Sequence, residues 1–142
     1  MATADGNKEL VRRLYGGLMA KGDTAVADEV LTDDYLDHDI PGVGEGGKTE
    51  LVAAVLAVRA SFPDIAPTLG PVLAEADLVA VRVQASGTHT GAPFPPGIPA
   101  TGRSMTWKEV HIFRCDGSRI AEHWGVFDML GILQQLGAIP AG

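Results

Sequence analysis

Leu10, Val11, Leu14, Tyr15 and Leu18 recur at the spacing of one helical face and predict a helix over residues 7–20, with Asn7 or Asp5 as its cap. Gly16-Gly17 costs that helix roughly 1 kcal/mol per glycine relative to alanine and marks the place for a kink. Lys21-Gly22-Asp23 is a stop, and a short second helix over 24–31 carries Val26, Val30 and Leu31. Asp33 to Asp39 sets Tyr35 and Leu36 among carboxylates, and Pro41 to Gly47, with four glycines, reads as a loop. A third helix over Lys48–Ser61 shows a wide apolar stripe of Leu51, Val52, Val55, Leu56 and Val58. Phe62-Pro63-Asp64 ends it, because the residue before a proline is biased away from the α region.

From there the period becomes that of strands. Thr68–Leu73 and Leu78–Thr88 are joined through Ala74–Asp77, and Met105–Arg114 and Ser118–Phe127 follow. Between them Thr90–Gly102 holds four of the nine prolines and three glycines, a long surface loop. Within it Pro93–Pro99, with Phe94 and Ile98, reads as a lid or a dimer contact. Met129–Leu136 is a short last helix ended by Gly137. Helices first, then an antiparallel meander, predict an α+β fold in a single domain, residues 1–142, with no repeat and no linker.

Composition narrows the function. Apolar residues make up 46% of the 142, and a mean hydropathy of +0.13 is high for a chain in water. The excess suits the lining of a cavity or a subunit interface. A net charge of −7 and a pI near 4.9, with no basic cluster beyond Arg12-Arg13, argue against nucleic acid and against an anionic membrane surface. The single Cys115 excludes an intramolecular disulfide and reads as a turn residue, and no Cys/His spacing suits a metal. Met1-Ala2-Thr3-Ala4-Asp5 lacks the pattern of a signal peptide, and no apolar run reaches the ~20 residues of a membrane span. A cytoplasmic enzyme or binding protein is expected.

The chemistry gathers on the last hairpin. A three-residue loop, Cys115-Asp116-Gly117, would pair His111 with Ala121, Glu109 with His123 and Trp107 with Gly125. One face then shows Trp107, Glu109, His111, Phe113, His123, Gly125 and Phe127. A two-residue loop would slip the partners but not the alternation within each strand. Two histidines, a glutamate and a tryptophan beside phenylalanines are costly to bury unless hydrogen-bonded. They line a pocket, or else satisfy one another in a plain core or a wet dimer interface. On the preceding strand Arg82 lies opposite Val79, Val81 and Val83, and either reaches a pocket carboxylate or is solvated.

Several short stretches, in order along the chain, carry a resemblance. They are Tyr35-Leu36-Asp37-His38, Phe62-Pro63-Asp64, Gly87-Thr88-His89-Thr90-Gly91, Pro99-Ala100-Thr101-Gly102, Asp116 to Trp124, Asp128-Met129-Leu130-Gly131 and Gln134-Gln135-Leu136-Gly137. Together they resemble the SnoaL-like polyketide cyclases of the nuclear transport factor 2-like superfamily. The resemblance implies a cone-shaped, strongly curved, mostly antiparallel sheet whose N-terminal helices close an apolar cavity. It implies intramolecular aldol-type ring closure on a polyketide-derived substrate, with no cofactor and no metal. The family's pocket histidines fall on His111 and His123. Its acid/base carboxylate falls at position 125, where this chain has Gly125, a gap that opens space.

That gap turns attention to other catalytic groups: His123 itself, Asp128 just past the strand, and Glu109 on the shared face. Asp39 and Asp64, with Tyr15 as an aromatic donor and His38 nearby, suggest an alternative, a hydratase, epoxide hydrolase or hydroxylase on the same scaffold. A non-catalytic binder of an apolar metabolite is the third reading. Phe62, Phe113, Phe127 and Trp107 would shape the cavity, while His89 reads as structural. The opposite face of the hairpin, with Lys108, Val110, Ile112, Ile120, Glu122 and Trp124, joined by Val79, Val81 and Val83, forms an apolar patch that predicts a homodimer or dimer-based oligomer.

Overall fold

The computed structural model describes residues 3–140; Met1, Ala2, Ala141 and Gly142, which the readings of the single domain and of the leaderless start take in, lie outside the described residues. Helix α1 (Ala4–Arg13) is capped by Thr3, whose hydroxyl accepts from the Gly6 N–H at 2.9 Å. Asp5 and Asn7 lie inside the first turns, and Asn7 is buried. Where the two glycines stand, the helix widens into a π-helical turn, Leu14–Met19. Gly17 meets helix α2 (Ala25–Val30) so closely that a Cβ there would lie 2.5 Å from Val26. The expected kink is this turn, and it buries Leu14, Tyr15 and Leu18.

The carboxylate-rich stretch after α2 is a strand, β1 (Leu31–Ile40), in which Tyr35, Asp37 and Ile40 are buried. Gly44–Gly46 forms a short edge strand, β2, inside the expected loop. Helix α3 (Lys48–Ser61) begins with the Glu50 carboxylate accepting from the Gly47 N–H. Strands β3 (Ala66–Glu75), β4 (Leu78–Thr88), β5 (Ser104–Asp116) and β6 (Arg119–Phe127) and helix α4 (Met129–Leu136) complete the chain. The six strands lie in the order β2-β1-β6-β5-β4-β3. Neighbours are antiparallel except β1 and β6, which run parallel. The sheet is open, not a closed barrel. Register shifts in β3, in β1 and between β5 and β6 are bulges of the kind that bend a sheet.

The hairpin register differs from expectation, and the difference is instructive. Asp116 pairs with Arg119 across a two-residue turn, Gly117-Ser118, with Gly117 at φ 64°. A bulge beyond Cys115 then moves the partners by one more. Phe113 therefore faces His123, His111 faces Gly125, and Glu109 faces Phe127. The turn shifts the pairing by three and the bulge by one, an even total, so the predicted face survives with new partners.

Two expectations for the outer face fail. Val79, Val81 and Val83 are buried on the inner face, under α1 and the π-helical turn, while Arg82 points outward opposite Val110. The bulge also turns Ile120 fully inward. Cys115 is a buried strand residue whose thiol is pushed up to about 11, chiefly by burial.

Candidate active site

Between the inner sheet face and the helices lies a cavity with a volume of about 110 Å³ for the centre of a water molecule. One wall is apolar, built by Leu14, Leu51, Val55, Val58, Ile65 and Ile132. The other wall is polar and comes from three adjacent strands: Tyr35, Asp37 and Asp39 on β1, His123 on β6, and Trp107, Glu109 and His111 on β5. Tyr15, on the π-helical turn, completes it.

Six of these polar groups, from Tyr35 to Trp107, form one unbroken hydrogen-bonded chain. The Tyr35 hydroxyl donates to Asp37 Oδ2 at 2.7 Å, and Asp37 Oδ1 meets His123 Nδ1 at 2.8 Å. His123 Nε2 meets His111 Nδ1 at 2.8 Å, and His111 Nε2 meets Glu109 Oε1 at 2.7 Å. Trp107 Nε1–H donates to Glu109 Oε2 at 2.7 Å. The parallel pairing of Asp37 with His123 and the offset between β5 and β6 put every link within reach. The Asp37 side chain is 1% exposed and that of Glu109 11%. Glu109 is thus the carboxylate of the chain most open to a bound molecule.

Burial is the largest single influence on Asp37 and pushes its pKa up. The hydrogen bond and charge of His123, the Tyr35 hydroxyl and the Asp39 N–H outweigh it, and hold Asp37 below the usual carboxylate value. Burial raises both phenols well above the ordinary tyrosine value, helped at Tyr15 by Glu109 and Asp37 and at Tyr35 by Asp37. Both are neutral donors. The Tyr15 ring lies 5.8 Å from that of His111.

Tyr35 and Asp37, quoted in the sequence only as part of a motif, are the residues to which sequence reasoning gave no role in the site. Their signal was the alternation Tyr35-x-Asp37, legible only once that stretch is taken as a strand. His111, His123, Glu109, Trp107, Phe113, Phe127, Tyr15 and Asp39 do line the cavity. Asp39 spends one oxygen on the Gly125 N–H at 3.0 Å, just past the last parallel pair. The other expected residues lie elsewhere. Asp128 is exposed and caps α4 through the Gly131 N–H. Asp64 grips the N–H and hydroxyl of Thr88. The His38 ring stacks on Trp124, its centroid 5.2 Å away, on the outer face, and bonds Glu122 and Glu45. Arg82 is solvated, and Phe62 packs behind the wall against Trp107 and Phe94. His89 is buried and bonds Thr101 and Ala92 within the long loop. Gly125 opens no space: a Cβ there would lie 2.5 Å from His111 Nδ1 and 3.0 Å from His123 Cε1. The two rings occupy the place a side chain would take.

A family model described as SnoaL-like polyketide cyclase matches residues 9–136. The chain belongs to the SnoaL-like polyketide cyclase family. Comparison with curated protein sequences finds no match. Among solved structures, TsrD from Streptomyces laurentii superposes with a TM-score of 0.86 at 27% identity, covering 98% of this chain and 100% of that one. IdmH, a candidate polyketide cyclase from Streptomyces antibioticus, gives 0.79 at 28%, covering 92% and 98%. AclR, a candidate hydroxylase from Streptomyces galilaeus, gives 0.86 at 24%, covering 99% and 86%, a likeness of fold alone. In this member of the family the polar wall is therefore built on the family's fold, with a paired histidine where the side chain of residue 125 would stand. Among the described residues no group of His, Cys, Asp and Glu is arranged to hold a metal. No described helix is long and apolar enough to cross a membrane.

Proposed function

We propose that this protein catalyses acid/base-assisted, intramolecular aldol-type ring closure on a polyketide-derived aromatic or polycyclic substrate, without a cofactor. The observation that carries the proposal is the hydrogen-bonded chain from Tyr35 to Trp107 set into an otherwise apolar cavity. An apolar pocket with a few convergent polar groups suits a flat, largely uncharged ligand.

In this reading Glu109 is the base. It takes the proton from a carbon next to a carbonyl; the C–H pair stays behind as an enolate, and Glu109 becomes the carboxylic acid. The enolate carbon attacks a second carbonyl carbon of the same molecule, a C–C bond forms, and the displaced C=O pair becomes an alkoxide. Glu109 returns its proton to that oxygen. The neutral Tyr15 phenol donates to the developing oxyanion. His111, His123 and Asp37 keep Glu109 oriented, and Trp107, Phe113 and Phe127 bound the ring system.

A hydrating or epoxide-opening reaction on this scaffold is the second reading. The cavity's three carboxylates and two neutral phenols favour it, although Asp64 takes no part. Incubation with aromatic β-ketoester polyketides in ¹⁸O-labelled water separates the two. Ring closure with no solvent oxygen at the new carbon centre supports the cyclase; ¹⁸O there supports hydration. Saturable binding with neither product would leave a small-molecule binder. We also propose that the protein is cytoplasmic and self-associates through the outer sheet face, where Val110, Ile112 and Val126 are 46%, 40% and 67% exposed.

A further inference from the structure

The four central members of the chain can be counted for protons. Three contacts join them: Asp37 to His123, His123 to His111, and His111 to Glu109, at 2.8, 2.8 and 2.7 Å. Each contact brings together two atoms that only accept when bare, so each requires one proton and has room for only one. Two carboxylates and two imidazoles holding three protons between them carry a net charge of −1. That total is fixed by geometry, but the place of the third proton is not. If both carboxylates are ionised, the rings share three N–H groups, one ring being neutral and the other an imidazolium. If a carboxyl holds it, the rings keep only two.

The remaining contacts decide between these. Asp37 also accepts from the Tyr35 hydroxyl and from the Asp39 N–H, at 2.7 and 2.9 Å. Glu109 accepts from the Trp107 N–H on its other oxygen. Asp37 is therefore met on both oxygens by donors other than the rings, an arrangement that favours its anion, whereas Glu109 has one such donor, on the oxygen turned away from His111. The charged and titratable groups facing the ring pair are Asp37, Asp39 and Tyr35 on β1, Glu109 on β5 and Tyr15 on the π-helical turn, with Arg59 of α3 at the cavity wall. Arg59 is turned away, its guanidinium held by the Met19 and Ala20 carbonyls.

We propose that His111 and His123 share a single imidazolium, with three of their four ring nitrogens protonated, and that buried Asp37 is the positioning residue that keeps the shared proton on the rings. At the cavity wall the Asp37 side chain is 1% exposed, and its oxygens are engaged by His123, the Tyr35 hydroxyl and the Asp39 N–H. Through two imidazoles it fixes what Glu109 presents to the cavity: a carboxylate beside a cation that the protein itself supplies. This deepens the acid/base reading of the site, yet it is tested with no substrate, so each can fail without the other.

The experiment is imidazole ¹⁵N–¹H correlation spectroscopy at pH 7 on protein labelled with ¹⁵N-histidine, the four histidines being assigned by single His→Gln variants. The expected result is three protonated ring nitrogens in the His111–His123 pair. In Asp37→Asn, where the side chain can still accept from His123 Nδ1–H but carries no charge, the count should fall to two at the same pH. Tyr35→Phe, which removes a donor but no charge, should leave three. Two protonated nitrogens in the unaltered protein would overturn the proposal outright, whether or not the variants fold. Three retained in a folded Asp37→Asn would remove Asp37 from the role given to it.

Discussion

Gly125→Ala is the smallest change that tests how tightly the histidine pair is built. The added Cβ would lie 2.5 Å from His111 Nδ1 and 3.0 Å from both His111 Cε1 and His123 Cε1. That is about 1 Å short of the ~3.5 Å optimum for non-bonded heavy atoms. The obstacle is no loose chain end: His111 is 3% exposed and pinned by hydrogen bonds at both nitrogens. Overpacking of this kind costs about 1–3 kcal/mol. Moving the ring also breaks or stretches its bond to His123, about 1.5–3 kcal/mol for a bond to a charged group. Relief of glycine's conformational cost returns about 0.5–1 kcal/mol. The net destabilisation is about 2–5 kcal/mol. With a urea m value of about 2 kcal/mol/M, the middle of the range for small proteins, the midpoint should fall by roughly 1–2.5 M with m unchanged. A midpoint within experimental error of the parent would refute the reasoning. It also follows that Gly125→Asp restores no family carboxylate here, because its Cβ meets the same two rings.

Three further outcomes are expected. His123→Ala should lose far more rate than binding, with kcat falling by about 100-fold or more and KM little changed, in steady-state assays of ring closure; unaltered turnover would make His123 structural. Val110→Glu should shift sedimentation toward monomer without destabilising the monomer, since Val110 is 46% exposed and its cross-strand partner is Arg82; an unchanged assembly would move the interface elsewhere. Asp37 has a pKa lowered by folding, so the stability it contributes is present above the ordinary carboxylate value near 4 and is lost as pH falls through its lowered folded value. In acid, the unaltered protein should therefore lose more of its denaturant-measured stability than Asp37→Asn does, and parallel losses would contradict the assignment.

The hairpin face was legible because strand alternation is a local property: Trp107, Glu109, His111 and Phe113 stay together whatever the turn. Their partners were not, because a turn and a bulge each add a slip that no single residue announces. Asp37 escaped for a different reason. A buried aspartate breaks the apolar alternation that would reveal β1, and its partner His123 lies 86 residues away on a parallel neighbour. Asp64 and Asp128 look like catalytic carboxylates in sequence, but next to a turn and a helix start they do what short carboxylates do there, satisfying backbone N–H groups. On β4 the apolar residues and the arginine were separated correctly, yet alternation alone cannot say which set faces the core. The α1 and π-helical packing decides that.

The central claim, a base poised over carbon acid chemistry, is tested most directly by following α-proton exchange of an aromatic β-ketoester polyketide in D₂O by NMR. The unaltered protein should accelerate loss of the α-proton signal, with or without ring closure. Glu109→Gln should bind the same compound with similar affinity and exchange it about 10²–10⁴ times more slowly. Exchange at the full rate in Glu109→Gln would contradict the assignment of the base, and binding with no exchange in the unaltered protein would contradict the account of the site as catalytic.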